Sequence, residues 1–207
     1  YNDLSSVEEL INTKTAAIII EPVQGEAGVV PAKQEFLLGV RDLCTQNGVL
    51  LIMDEVQSGV GRMGNLFGYM AFGIEPDILT SAKGLGGGIP IGATLTKNDI
   101  ASSMSVGSHG STFGGNPMAC AVADKVIEIV SNPNFLQEVK EKETLLVNKL
   151  EGVSKKHQAF REIRSSGLWI GCELNNNGEV NELLDRCYEF GLIAVSAGAS
   201  TLRFAPA

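Results

Sequence analysis

The chain has 207 residues, 44% of them hydrophobic, with a net charge of −8 and a pI near 4.8. That length is enough for one large domain or two small ones, the apolar content supports a real core, and the acidic balance without a basic stripe argues against a nucleic-acid footprint. No apolar run reaches transmembrane length, and the four cysteines at 44, 120, 172 and 187 form no C-x-x-C pair.

In chain order, Ser6-Val7-Glu8-Glu9 fits a capping box opening a short helix to about Asn12. Ala16 to Ile20 reads as an apolar strand stopped by Glu21-Pro22, followed by a loop tightened by Gly25 and Gly28. Gln34 to Asn47 predicts a helix with Phe36, Leu37, Val40, Leu43 and Cys44 on one face, ended by Gly48. The run Val49-Leu50-Leu51-Ile52-Met53 predicts a buried parallel strand. A glycine-rich loop from Ser58 to Gly64, a short helix near Phe67 and a strand from Ile78 to Ser81 follow. Lys83 then opens Gly84-Leu85-Gly86-Gly87-Gly88, and Ala93 to Thr96 is a further short strand.

Asn116-Pro117 is a strong helix start, with Asn as cap and Pro at the first position, and that helix runs to about Val130. A second helix, rich in Glu and Lys, covers roughly Phe135 to Leu150. Beyond it the pattern changes to strands at Phe160 to Arg164 and Leu168 to Leu174, a helix at Val180 to Phe190, and strands at Leu192 to Ser196 and Thr201 to Ala205. Strands separated by helices predict an α/β fold with a mainly parallel sheet over residues 1–133. Residues 134–207 read as part of a smaller α+β domain, the boundary falling at Ser131-Asn132-Pro133. The cysteines lie in apolar segments and read as buried free thiols of a reducing compartment, so a cytoplasmic location is expected. Tyr1 is not a methionine and Leu202 to Ala207 stops within an apparent strand, so the chain reads as a fragment.

The chemistry is concentrated at two strand ends. Asp54 emerges where the Val49 strand ends, and the Ile78 strand brings Lys83 to the same edge, where open α/β sheets place ligands. A buried acid and a lysine there are what pyridoxal 5′-phosphate (PLP) requires: the amine carries the cofactor and the acid keeps its pyridine nitrogen protonated. A buried carboxylate needs a partner, and a pyridinium about 4 Å away supplies on the order of 4 kcal/mol at an effective dielectric of roughly 20. Gln57 could donate to the phenolate oxygen of such a cofactor, and Val56 could press on its ring. The polar loop from Gly107 to Pro117 offers backbone N–H groups and the Ser111 and Thr112 hydroxyls to a phosphate, although a plain linker has the same composition. His109 is a lone loop histidine and His157 sits beside Lys155-Lys156 at the surface; no metal site is expected. The competing reading takes Leu51-Ile52-Met53-Asp54-Glu55 as the magnesium strand of a P-loop NTPase, yet no Gly-Lys-[Ser/Thr] occurs in the chain.

Five motifs occur in order: Glu21-Pro22-Val23-Gln24-Gly25-Glu26, Asp54-Glu55-Val56-Gln57-Ser58-Gly59-Val60-Gly61-Arg62, Pro76-Asp77-Ile78, Ala82-Lys83-Gly84-Leu85-Gly86-Gly87-Gly88 and Gly110-Ser111-Thr112-Phe113-Gly114-Gly115-Asn116-Pro117. Together they resemble class III PLP-dependent aminotransferases, most closely the acetylornithine/succinylornithine group. The resemblance implies fold type I, with residues 1–133 as part of the large PLP-binding domain and 134–207 as part of the small one. It implies Lys83 as the Schiff-base lysine, Asp54 as the pyridine-nitrogen partner, Gln57 on the cofactor hydroxyl and Val56 on the ring. Thr112 corresponds to the residue reaching the phosphate of a cofactor held mainly by the other subunit, so a homodimer with shared active sites is implied. Glu26 resembles the gate glutamate that pairs with the substrate-carboxylate arginine when the second substrate must enter, and Arg203 matches that arginine, whose fork suits a carboxylate.

The implied reaction moves the terminal amino group of N-acetylornithine or succinylornithine to 2-oxoglutarate, giving the semialdehyde and glutamate in arginine metabolism. Ornithine and 4-aminobutyrate stay open as amino donors, and a catalytically silent fragment is the reading from a different class. Neither a nucleic-acid nor a membrane partner is expected. Two departures from the family pattern stand out. Ile163-Arg164-Ser165-Ser166-Gly167-Leu168 carries Ser165 where the family has glycine, and family members are close to double this length, their front half carrying the main phosphate loop and the ring-stacking aromatic.

Overall fold

The computed structural model describes residues 1–175 and 180–207. In chain order the elements are α1 (Leu4–Leu10), β1 (Ala17–Ile20), β2 (Val23–Gln24), β3 (Val30–Pro31), α2 (Gln34–Asn47), β4 (Leu50–Asp54), β5 (Ile78–Ser81), β6 (Ala93–Thr96), α3 (Asn98–Ala101), α4 (Pro117–Val130), α5 (Pro133–His157), β7 (Phe160–Ser165), β8 (Ile170–Leu174), α6 (Val180–Glu189), β9 (Val195–Ala197) and β10 (Thr201–Phe204). They form two compact units. The first comprises residues 1–22, 32–61 and 65–132; the second comprises 23–31, 62–64 and 133–207. Two short stretches numbered within the expected first domain therefore pack with the second unit.

The first unit is built on a sheet of order β1-β4-β5-β6, with β1, β4 and β5 parallel and β6 antiparallel to β5. Along β4 the side chains alternate: Leu51 and Met53 are fully buried, while Leu50, Ile52 and Asp54 are half-buried. The strand is thus covered completely on one face only, whereas a continuous apolar run predicts two covered faces. Phe36, Leu37, Val40 and Cys44 of α2 join Leu51 and Met53 in the core. Gly48 takes a left-handed φ of 65° and its N–H closes on the Cys44 carbonyl, so the chain can turn directly into β4. Helix α1 differs from its expected start. Its cap is Asp3, whose carboxylate accepts from the Ser6 N–H, so Ser6 is a donor inside the helix rather than the capping residue. The helix expected near Phe67 is a short 3₁₀ helix, Gly68–Phe72.

The second unit carries an antiparallel sheet of order β7-β8-β10-β9 and a two-stranded β2-β3 ribbon. Ile170, Cys172, Leu174, Val180 and Leu202 form its core, with Leu146, Val147 and Leu150 of α5 packed against it. Gly167, at φ 63°, lies where a Cβ would sit 2.2 Å from the Arg62 carbonyl oxygen, so only glycine allows this backbone approach. Ser165, by contrast, lies in β7 opposite Ile170. Position 165 is ordinary paired strand, and serine satisfies it. Among the described residues no helix is long and apolar enough to cross a membrane.

Candidate active site

Asp54 and Lys83 sit at the carboxyl ends of adjacent parallel strands. Register pairs Asp54 with Thr80, and Lys83 follows two residues after β5 ends at Ser81. Asp54 Oδ1 accepts the Val56 N–H at 3.1 Å and the Thr80 hydroxyl at 3.3 Å. Oδ2 accepts no hydrogen bond among the described residues. The carboxylate is therefore fixed through one oxygen and presents the other. Lys83 is exposed and opens a one-turn 3₁₀ helix, Lys83–Gly86, with a φ of +44°. A side chain in left-handed backbone costs roughly 1–2 kcal/mol, and such strain clusters at sites of function. Its amine has no ion pair or hydrogen bond among the described residues. Gly87 closes the turn at φ 54°, where a Cβ would come 3.2 Å from Val126 of α4.

Val56 and Gln57 continue the chain from the strand end and are half-buried. Between Asp54 and Val56 lies a residue that the sequence did not flag. Glu55 is fully buried, and its carboxylate accepts from the Ser58 hydroxyl at 2.6 Å, the Gly68 N–H at 2.8 Å and the Tyr69 N–H at 2.6 Å. Burial pushes this carboxyl above its ordinary range, against the pull of the Ser58, Tyr69 and Gly68 donors. Glu55 thereby ties the first amides of the 3₁₀ helix back to the strand end, while its own N–H donates to the Thr80 carbonyl at 3.0 Å. The turn that carries Val56 and Gln57 is held from beneath. An acid placed three residues before Ser58 was the available signal, but its partners at 68 and 69 are too distant in sequence to read.

The loop holding Ser111 and Thr112 is exposed throughout. The Ser111 hydroxyl accepts from the Gly114 N–H at 3.0 Å, and Asn116 caps α4 by accepting from the Ala119 N–H at 2.9 Å. Thr112 and His109 are exposed in the same loop, and His157 is exposed at the end of α5. The thiols divide. Cys44 and Cys172 are buried, burial pushing the Cys172 thiol up to about 12, whereas Cys120 is exposed and Cys187 half-buried. The expectation of four buried thiols fails at Cys120, because it falls on an exposed position of α4. Among the described residues no group of three or more His, Cys, Asp or Glu is arranged to hold a metal ion.

In the second unit, Arg203 of β10 donates through Nη1 to Glu26 Oε1 at 2.8 Å. The arginine side chain is 14% exposed and the glutamate 71% exposed. The Glu26 carbonyl accepts the Gly198 N–H at 2.7 Å, so the backbone of the acidic residue is held while its side chain faces solvent.

A family profile described as "Aminotransferase class-III" matches residues 1–207. A succinylornithine transaminase of Yersinia pseudotuberculosis is 51% identical over 208 residues, covering 100% of this chain and 50% of that protein. The solved N-acetylornithine aminotransferase of Stenotrophomonas maltophilia aligns with a TM-score of 0.92 and 36% identity, over 100% of this chain and 55% of that one. An ornithine aminotransferase of Plasmodium yoelii aligns with a TM-score of 0.93 and 34% identity, over 100% and 55% respectively. The chain spans about half the length of the curated relatives it matches. The architecture is fold type I.

Proposed function

The chain belongs to the class III aminotransferases, and on that premise we propose that it carries the amine-transfer centre of a PLP enzyme acting on N-acetylornithine or succinylornithine with 2-oxoglutarate as acceptor. The observation that carries this reading is the strand edge where an anchored carboxylate and a strained lysine, unpaired among the described residues, sit at the carboxyl ends of adjacent parallel strands. The residues fit the cofactor of this family. An acid with one oxygen fixed by Val56 N–H and Thr80 suits a protonated ring nitrogen, and a lysine amine without a partner among the described residues suits covalent attachment. Bound PLP supplies the electron sink that makes the substrate carbon acidic.

The remaining work falls to side chains. Asp54 would hold the ring nitrogen of the cofactor and favour its protonated form, because a carboxylate beside a pyridinium stabilises the charge. Lys83 Nζ moves the proton at the substrate carbon bearing the transferred amine. Gln57 would hold the cofactor hydroxyl and Val56 its ring. Ser111 and Thr112 serve a phosphate, with Thr112 reaching the cofactor of a second subunit in a cytoplasmic homodimer with shared sites. Arg203 takes a substrate carboxylate, and Glu26 occupies it in between. The magnesium-strand alternative has no place in this family.

Borohydride trapping of the complete protein with PLP, followed by peptide mapping, tests the assignment. The expected result is modification at Lys83; modification at any other lysine overturns it.

A further inference from the structure

Arg164 is a half-buried arginine that the proposed reaction does not use. Its guanidinium is spent on four acceptors. Nε donates to the Gly28 carbonyl at 3.1 Å, Nη2 to Thr201 Oγ1 at 3.2 Å and Nη1 to Glu173 Oε2 at 2.7 Å, and Nη1 also pairs with Glu162. These acceptors belong to different segments. Gly28 lies two residues after Glu26, and Thr201 lies two residues before Arg203, on the same face of β10 by the period-two rule.

The register places the three positions in one row. Gly171 of β8 is opposite Arg164 of β7 on one side and opposite Arg203 of β10 on the other. Directly opposed residues in antiparallel strands point to the same face, so the two arginines flank a position with no side chain. The loop carrying Glu26 rests in that gap. A Cβ at Gly171 would come 2.5 Å from the Gly28 carbonyl oxygen, and a Cβ at Gly28, itself at φ 112°, would come 2.9 Å from Thr201 Oγ1. One arginine grips the backbone of the loop and the other grips its acidic side chain.

We propose that Arg164 is the positioning residue of the Glu26–Arg203 pair, clamping the loop so that the Glu26 side chain alone turns away when a carboxylate takes its place on Arg203. This rests on the reading that Arg203 receives substrate carboxylate. The Glu26 backbone is held at its own carbonyl by Gly198 N–H and two residues later by Arg164. Its side chain is 71% exposed, whereas Arg203, 14% exposed, stays in the sheet. The exchange is therefore a rotamer change on a fixed loop. Without Arg164 the loop loosens, the Glu26–Arg203 contact weakens, and an incoming carboxylate has less to displace.

The test is a double-mutant cycle on the complete holoenzyme, read by calorimetric binding of glutarate, a dicarboxylate that cannot accept an amine. Arg164→Met is made alone and in a Glu26→Ala background. The expected result is glutarate binding tightened at least about twofold by Arg164→Met alone and unchanged by it once Glu26 is absent, the pattern of coupled contacts. An equal effect in both backgrounds, or none in either, overturns the proposal. Gly171→Ala, which drives a methyl into the Gly28 carbonyl, should reproduce the pattern and keeps the test decisive if Arg164→Met does not fold. Arg203→Lys separates the two levels of the argument. Weaker glutarate binding there supports the carboxylate reading whatever Arg164 does, and unchanged binding overturns that reading together with the clamp.

Discussion

The two candidate regions treat charge in opposite ways. At the strand edge of the first unit, Asp54 is anchored through one oxygen only and Lys83 has no protein partner among the described residues. On the sheet of the second unit every arginine in the row is already engaged, Arg203 by Glu26 and Arg164 by four acceptors. On the proposed function, the first region would be filled and the second exchanged. A group that waits unpaired can hold a resident cofactor with no rearrangement. A group that is paired until displaced can accept substrates in turn and is never left as a bare half-buried charge, which would be costly.

This contrast can be broken at specific residues. The largest expected effect is at the region that would be filled. Asp54→Asn is nearly isosteric and keeps an oxygen for Val56 N–H, but it cannot favour a protonated ring nitrogen. We expect a folded protein whose amine-transfer rate falls on the order of a hundredfold or more, the scale of removing one preorganised electrostatic partner. Single-turnover kinetics on the complete enzyme check this, and a near-normal rate would remove Asp54 from the proposed role.

Glu55→Gln sharpens the contrast by testing the neighbour that is neither filled nor exchanged. The amide sets an N–H₂ group against donors now satisfied by the carboxylate. Denaturant melts should show a loss of about 1–3 kcal/mol, the cost of an unsatisfied buried polar group. A stability equal to that of the parent would mean that the turn is held by something else.

The smallest effect concerns the exchange region at low pH. Arg161 and Arg164 hold the Glu173 carboxyl at about 2, below its unfolded value of about 4.3. A depressed folded value means stability that is present above the unfolded value and lost as pH falls through the folded one. The advantage of the parent protein over Glu173→Gln in thermal melts should therefore be full at neutral pH and shrink between about pH 4.3 and pH 2. A gap that stays constant across that window would show that Glu173 is not stabilised by its arginines.

Helix α2 was legible residue for residue because its apolar stripe, its length and Gly48 all agree. Helix α5 runs past both ends of its apolar pattern, to Pro133 and His157, with exposed Lys142–Glu138 and Lys155–Glu151 pairs along it that carry no hydrophobic signal. The short β2 and β3 were not legible, since two residues show no period and their packing is set by distant segments. Within the candidate site, Asp54 and Lys83 could be placed from strand ends alone. Glu55 and Arg164 could not, because a buried carboxylate and a clamped guanidinium are defined by partners far along the chain. The Asp3 cap was missed for a local reason: Ser6 and Glu9 fit the capping pattern equally well, and only the backbone decides between them.

The left-handed backbone at Lys83 has a consequence for how this protein can be improved. Position 83 is where the fold would favour glycine and the proposed chemistry needs an amine. A search for variants that survive heating, run without selection for turnover, should drift toward glycine at this one residue and return a sturdier, inert protein. Thermal endurance and reactivity compete here for a single side chain.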